Sequence, residues 1–163
     1  MPNEPRSAGI DALLDELETM PAALEGHAAN FPGKIARRKP PGGGFSFLEN
    51  VWHLADLERE GFGERIRRLR NEDSPSLPDF NGERVARERR YNELDLERGL
   101  ASFSAARKEN VRSLRNLPEA DWERSGAQEG AGTVCLRDVP RMMREHDRSH
   151  TCEIEELFAF IAR

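Results

Sequence analysis

The sequence predicts an all-α fold, a four-helix bundle with a long connection between its second and third helices. Three observations carry this. Four stretches return apolar residues every three or four positions, which is the period of one buried helix face. The stretches between them are rich in Pro, Gly and polar residues and hold no such period. The chain is also 37% hydrophobic and 34% charged, a balance that suits solvated helices around one core. At 163 residues it is long enough to bury that core as a single domain spanning 1–163.

Composition narrows the function classes. A formal net charge of −5 argues against a nucleic-acid partner. No apolar run approaches the ~20 residues that span a bilayer, so no membrane partner is expected. The opening stretch, MPNEPRSAGID, lacks the apolar core of a signal peptide, and a cytoplasmic location is the expectation. Two cysteines, Cys135 and Cys152, are too few for a disulfide framework and read as reduced packing residues.

The first helix is expected over Ile10–Asn30, with Ile10, Leu13, Leu14, Leu17, Leu24 and Phe31 on one stripe and a kink or restart at Pro21. The connector RRKPPGGG follows; its glycines lack the spacing and the Lys-Ser/Thr of a phosphate-binding loop. Ser46 and Glu49 then form a capping box, which starts the second helix and carries it to about Arg70. Its stripe is Leu48, Val51, Ala55, Phe62, Ile66 and Leu69. His53 lies off that stripe, beside the acidic edge of Glu49, Glu60 and Glu64, where it faces a cleft. Residues 71–82 read as a polar loop, and Glu83–Tyr91 as a short, exposed, arginine-rich helix.

The third helix is capped near Asp95 and runs to about Leu117 on Leu96, Leu100, Phe103, Leu114 and Leu117. Arg107 and Asn110 interrupt its inward side. A buried Arg is paired or functional. Two readings stand for Arg107: a structural ion pair with a carboxylate of helix two, or an anchor for an anionic substrate. A second connector covers 118–134.

The fourth helix, Val139–Ile161, holds His146-Asp147-Arg148-Ser149-His150 on the face of Val139, Met143, Ile154 and Leu157. Positions four apart place their Cβ atoms ~5–6 Å from each other, so both imidazoles reach one point. That arrangement fits a metal site or two hydrogen-bonded core histidines. The H-D-x-x-H string also approximates a zincin motif, but no further element of a zincin accompanies it. A di-iron carboxylate bundle needs two E-x-x-H motifs, and none is present.

Phe45–His53, with the pattern F-S-x-x-E-x-x-x-H, resembles the helix-two signature of the DinB/YfiT-like family. Thr133–Asp138 leading into His146–His150 resembles its helix-four signature, and F-S-A-A-R around Arg107 is similar to its helix three. The resemblance covers nearly the whole chain. It implies a four-helix bundle of that type, with a divalent metal held by His53, His146 and His150, and imidazole ligands favour a transition metal such as Zn, Ni or Fe. Cys135, where the family more often has Thr or Ser, and Pro140, in the first turn, depart from the pattern. Neutral imidazoles preserve the Lewis acidity of such an ion and leave open positions. With an ordinary histidine pKa of ~6.5, metal affinity is expected to fall below about pH 6. Each ligating ring also needs an acceptor for its other nitrogen, and Glu49 and Glu153 are the candidates. The resemblance further implies a homodimer acting on a small-molecule substrate. The activity it implies is metal-dependent transfer of a low-molecular-weight thiol, as cosubstrate, to an electrophile; the alternatives are a metal-dependent hydrolase and a non-catalytic, stress-associated metal-binding protein.

Overall fold

The computed structural model describes residues 8–163. Its long rods are α1 (Ala8–Ala28), a second rod made of α2 (Phe47–Asp56) and α3 (Gly63–Asn71), then α5 (Leu96–Arg115) and α6 (Val139–Ile161). A short helix, α4 (Gly82–Glu88), lies in the connection between the second rod and α5. α2 packs on α5 and α6, and α1 packs on both α5 and α6, which closes a four-helix bundle.

The caps explain where the rods begin. Ser46 Oγ accepts the Glu49 N–H while Glu49 accepts the Ser46 N–H, so the capping box starts α2 as expected. Asp95 accepts the Arg98 N–H at the head of α5. Pro140 falls in the first turn of α6, where a missing N–H costs nothing, and Val139–Ile161 is helical throughout. Cys135 still caps the turn before it, its N–H and thiol both donating to Asp138.

The core is split in two. Leu14, Leu17, Ile66, Leu69, Val111, Leu114, Trp122, Val139 and Met143 pack at one end. Leu24, Phe31, Phe47, Leu48, Val51, Leu100, Phe103, Ile154 and Leu157 pack at the other. Each fully buried side chain of this kind contributes ~1.5–3 kcal/mol, enough for the two ends to define the bundle. Between them every rod except α1 carries buried polar groups: Glu58, Arg107 and Asn110, Asp147 and His150. The bundle therefore has a polar waist.

Two irregularities shape that waist. Pro21 does not interrupt α1, which runs from Ala8 to Ala28 without the restart that was one of the two expectations for it. Having no N–H, Pro21 leaves the Leu17 carbonyl without its helical donor. Arg107 Nη1 donates to that carbonyl at 3.0 Å and replaces the lost bond. The second irregularity is a π turn, Leu57–Phe62, within the second rod. There the Glu58 carbonyl accepts the Gly63 N–H and also Asn110 Nδ2, the latter at 2.8 Å.

The connectors are more ordered than the polar loops expected of them. Ser76–Leu77 (β1), Ser125–Gln128 (β2) and Gly132–Cys135 (β3) form a small sheet in the order β1-β2-β3, parallel and then antiparallel. The 83–91 segment is not simply exposed. Val85, Ala86 and Tyr91 are buried, and Arg89 and Tyr91 both donate to the buried Asp56 carboxylate at 2.6 Å. That network ties the long connection down against α2. Among the described residues no helix is long and apolar enough to cross a membrane.

Candidate metal centre

His53 stands in the last turn of α2, while His146 and His150 stand one turn apart on α6. The packing of α2 on α6 brings the three rings together, with centroids 4.4–5.4 Å apart. One ligand nitrogen from each lies within 4.8 Å of the other two. His53 Nε2 and His146 Nε2 are 3.4 Å apart. Zn–N bonds of ~2.0–2.1 Å in a tetrahedral shell would space neighbouring nitrogens by ~3.3 Å. The donor set fits a divalent ion of the borderline class.

The protonation of His150 follows from its neighbour. Asn50 Nδ2 donates to the Ser46 carbonyl at 3.0 Å, which fixes the amide with its oxygen toward the ring. That oxygen lies 2.7 Å from His150 Nδ1. Nδ1 therefore carries the proton and Nε2 keeps its lone pair for a metal.

Of the two expected acceptors, Glu49 is turned to other partners and Glu153 stands near His150. Glu49 is occupied by the Ser46 cap and by Lys39 at 3.1 Å, and it makes no hydrogen bond to His53. Glu153 approaches His150 Nδ1 only to 3.4 Å and is half exposed. Asn50 takes the role instead, and nothing in the helix pattern marked it.

His53 is held by packing. Its Nδ1 is buried without a partner, and its ring lies between Phe45 and Phe80. Gly82 closes the third side: a Cβ there would fall 2.5 Å from His53 Cε1 and 2.7 Å from Nδ1. Only a residue without a side chain lets the start of α4 approach so closely.

Burial holds all three imidazoles neutral. It lowers His53 to about 4, with Asp56 opposing, and His150 to about 4, helped by His53. It lowers His146 to about 3, where a proton would also be repelled by one on His150 or His53 and by the charges of Arg107 and Arg65. Neutral rings are the ligand form, so the expected loss of affinity below pH 6 moves to lower pH.

Arg107 is the ion pair. Its five N–H groups are all engaged: two by Glu58, two by Asp147 and one by the Leu17 carbonyl, at 2.8–3.0 Å. It is 1% exposed and has no donor left for a substrate anion. The anchor reading from the sequence is therefore set aside in favour of the helix-two carboxylate, Glu58.

The DinB superfamily profile matches residues 16–154. The chain belongs to the DinB superfamily. Its fold is similar to that of YfiT from Bacillus subtilis, described as a probable metal-dependent hydrolase with an unusual four-helix bundle topology. The likeness has a TM-score of 0.87 at 20% identity, over 99% of this chain and 93% of that one. Comparison with curated protein sequences finds no match.

In this member of the DinB superfamily two cavities meet at His53. One, of about 680 Å³, is bounded by the Pro40–Phe45 region, Gly82 and His150, with Glu83, Glu153 and Glu156 giving it an acidic wall. The other, of about 440 Å³, reaches His146 and is bounded by Phe62, Arg65, Phe80 and Gln128.

Proposed function

We propose that the chain is a metal-dependent enzyme that transfers a low-molecular-weight thiol to an electrophile, with His53, His146 and His150 as the metal ligands. The observation that carries the reading is that two separate cavities both reach one cluster of neutral imidazoles, one at His53 and His150 and the other at His53 and His146. That layout suits two substrates held at one centre, each in its own cavity. A divalent ion held there supplies positive charge and open positions, which favour the thiolate over the thiol near neutral pH.

The chain's own residues supply the rest. Asn50 keeps the His150 proton on Nδ1, so that Nε2 points inward. Phe45 and Phe80 flank His53 and give each cavity an apolar wall beside it. Glu153, whose carboxyl is raised by burial and then by Glu156, stands in the larger cavity as a proton acceptor. In the transfer the thiol loses its proton, sulfur bonds to the electrophilic carbon, and the leaving group departs with its electron pair.

Hydrolysis is the second reading, favoured by the structural likeness to YfiT and its description. Water then takes the place of the thiol in the same geometry. The resemblance also supports a homodimer, which light scattering at micromolar concentration tests against the 18.5 kDa monomer.

The deciding experiment loads metal-free protein with Zn, Ni or Fe in turn. Each form is assayed with a panel of cellular thiols and a fluorogenic electrophile, and in parallel with ester and amide substrates. Thiol conjugation accelerated only by loaded protein supports the transferase. Acceleration of hydrolysis alone supports the second reading, and no acceleration of either defeats both.

A further inference from the structure

Arg65 lies on α3 in the wall of the 440 Å³ cavity, which also reaches His53 and His146. It is 8% exposed, yet among the described residues it makes no hydrogen bond and no ion pair. Its Nε is sealed from solvent without a partner. Its guanidinium rests over the Phe62 ring, 5.2 Å from the centroid. Asp79 is near enough to favour the charge without forming an ion pair, and its carboxylate already accepts the Phe80 N–H at 2.9 Å. A buried, unpaired cation is costly to a fold, and the contrast with Arg107 is plain. Arg107 has every donor matched, whereas Arg65 has none.

Gln128 adds a second unmatched group in the same wall. Its Nε2 donates to the Pro78 carbonyl at 3.3 Å and to the Glu129 carbonyl at 3.5 Å. Those two carbonyls fix the amide orientation and leave Oε1 as an acceptor. Oε1 is buried with no partner, and the residue is only 4% exposed. The wall of the cavity therefore holds one guanidinium without a protein partner and one lone acceptor just beneath its surface. The complement is a small molecule with a planar anion and a nearby N–H.

We propose that this cavity is an anion-binding subsite, in which Arg65 takes the carboxylate of an N-acylated amino-acid-like ligand and Gln128 Oε1 accepts its amide N–H. A carboxylate matches the guanidinium fork with two parallel hydrogen bonds, which a neutral amide does not. The subsite deepens the functional reading above, because its occupant would lie beside His146. Binding at Arg65 itself needs no metal, so the two ideas fail separately.

The experiment compares N-acetylglycine with its uncharged counterpart N-acetylglycinamide, by chemical-shift titration of both metal-free and zinc-loaded protein. A charge-assisted pair is worth a preference of about ten- to a hundred-fold, and N-acetylglycine is expected to bind more tightly by that factor in both forms. Arg65→Met is expected to erase the preference and to melt at the same temperature as the wild type or higher when no ligand is present. Arg65→Lys, which keeps the charge but not the fork, is expected to retain part of it and serves if the Met variant does not fold. Equal affinities in the wild type, or a preference that survives Arg65→Met, would overturn the proposal. Inorganic phosphate run alongside tests the planar anion; phosphate binding more tightly than N-acetylglycine would overturn the carboxylate assignment.

Discussion

Asn50 and His150 are joined by a 2.7 Å hydrogen bond between helices α2 and α6, across a hundred residues of chain. Because Ser46 already fixes the Asn50 amide, this bond decides which His150 nitrogen faces the cluster. The start of α2, its capping box and the ligand state of a histidine on α6 are thus one connected arrangement. Replacing Asn50 with Ala or Leu is expected to lower metal affinity by about ten- to a hundred-fold while leaving the helical content unchanged. Competition with a chromophoric chelator reads the affinity, and circular dichroism reads the fold. Unchanged affinity would remove Asn50 from the centre.

Gly82 makes a sharper steric case. A methyl group at this position would press on the His53 ring at its Cε1 and Nδ1 atoms. Gly82→Ala is expected to move His53 or the start of α4 and to weaken metal binding by about ten-fold, on the scale of other groups that orient a ligand. The same substitution at Gly130, where a positive φ but no close neighbour is found, is expected to cost some stability without touching metal affinity. The pair separates a local contact with His53 from a general backbone effect.

Arg107 belongs to the fold. Arg107→Ala leaves Glu58 and Asp147 buried without a counter-charge and the Leu17 carbonyl without a donor. A loss of about 3–5 kcal/mol in denaturant unfolding is expected, the usual scale for breaking one side of a buried ion pair. Lys in its place is also expected to destabilise, since one ammonium cannot fill five directed positions. A variant with wild-type stability would contradict the waist described above.

The pH dependence has a defined sign. In the folded, metal-free protein His53 and His150 titrate near 4 and His146 near 3, against ~6.5 in the unfolded chain. Between those values the unfolded state binds more protons, so stability falls as pH drops from about 6.5 towards 4 and is fully present above 6.5. Thermal melts of metal-free protein across pH 4–8 should show that fall. The His53→Gln, His146→Gln, His150→Gln triple variant should flatten it.

Some of this was legible in the chain and some was not, for physical reasons. Ser46 and Glu49 are three residues apart, and a capping box needs nothing beyond the local backbone, so the start of α2 was readable. His146 and His150 are one turn apart on a strongly periodic helix, so their shared face was readable as well. His53 is different: helix periodicity placed it beside a cleft, and only the family resemblance joined it to the other two. Asn50, Gly82 and Arg65 act through partners or cavities formed by distant segments, and no spacing rule exposes such pairings. That no restart follows Pro21 was hidden for the same reason, because the donor that mends its broken rung is Arg107 on another helix. The strands β1 to β3 are two to four residues long, too short for a period of two to show.

The central claim is that His53, His146 and His150 together hold one divalent ion. Its most direct test is the metal content of wild type and His53→Ala, both purified metal-free, incubated with Zn, Ni or Fe(II), desalted and analysed by mass spectrometry. About one ion per chain is expected in the wild type and a small fraction of that in a His53→Ala protein that remains helical. Full metal content in His53→Ala would contradict the account.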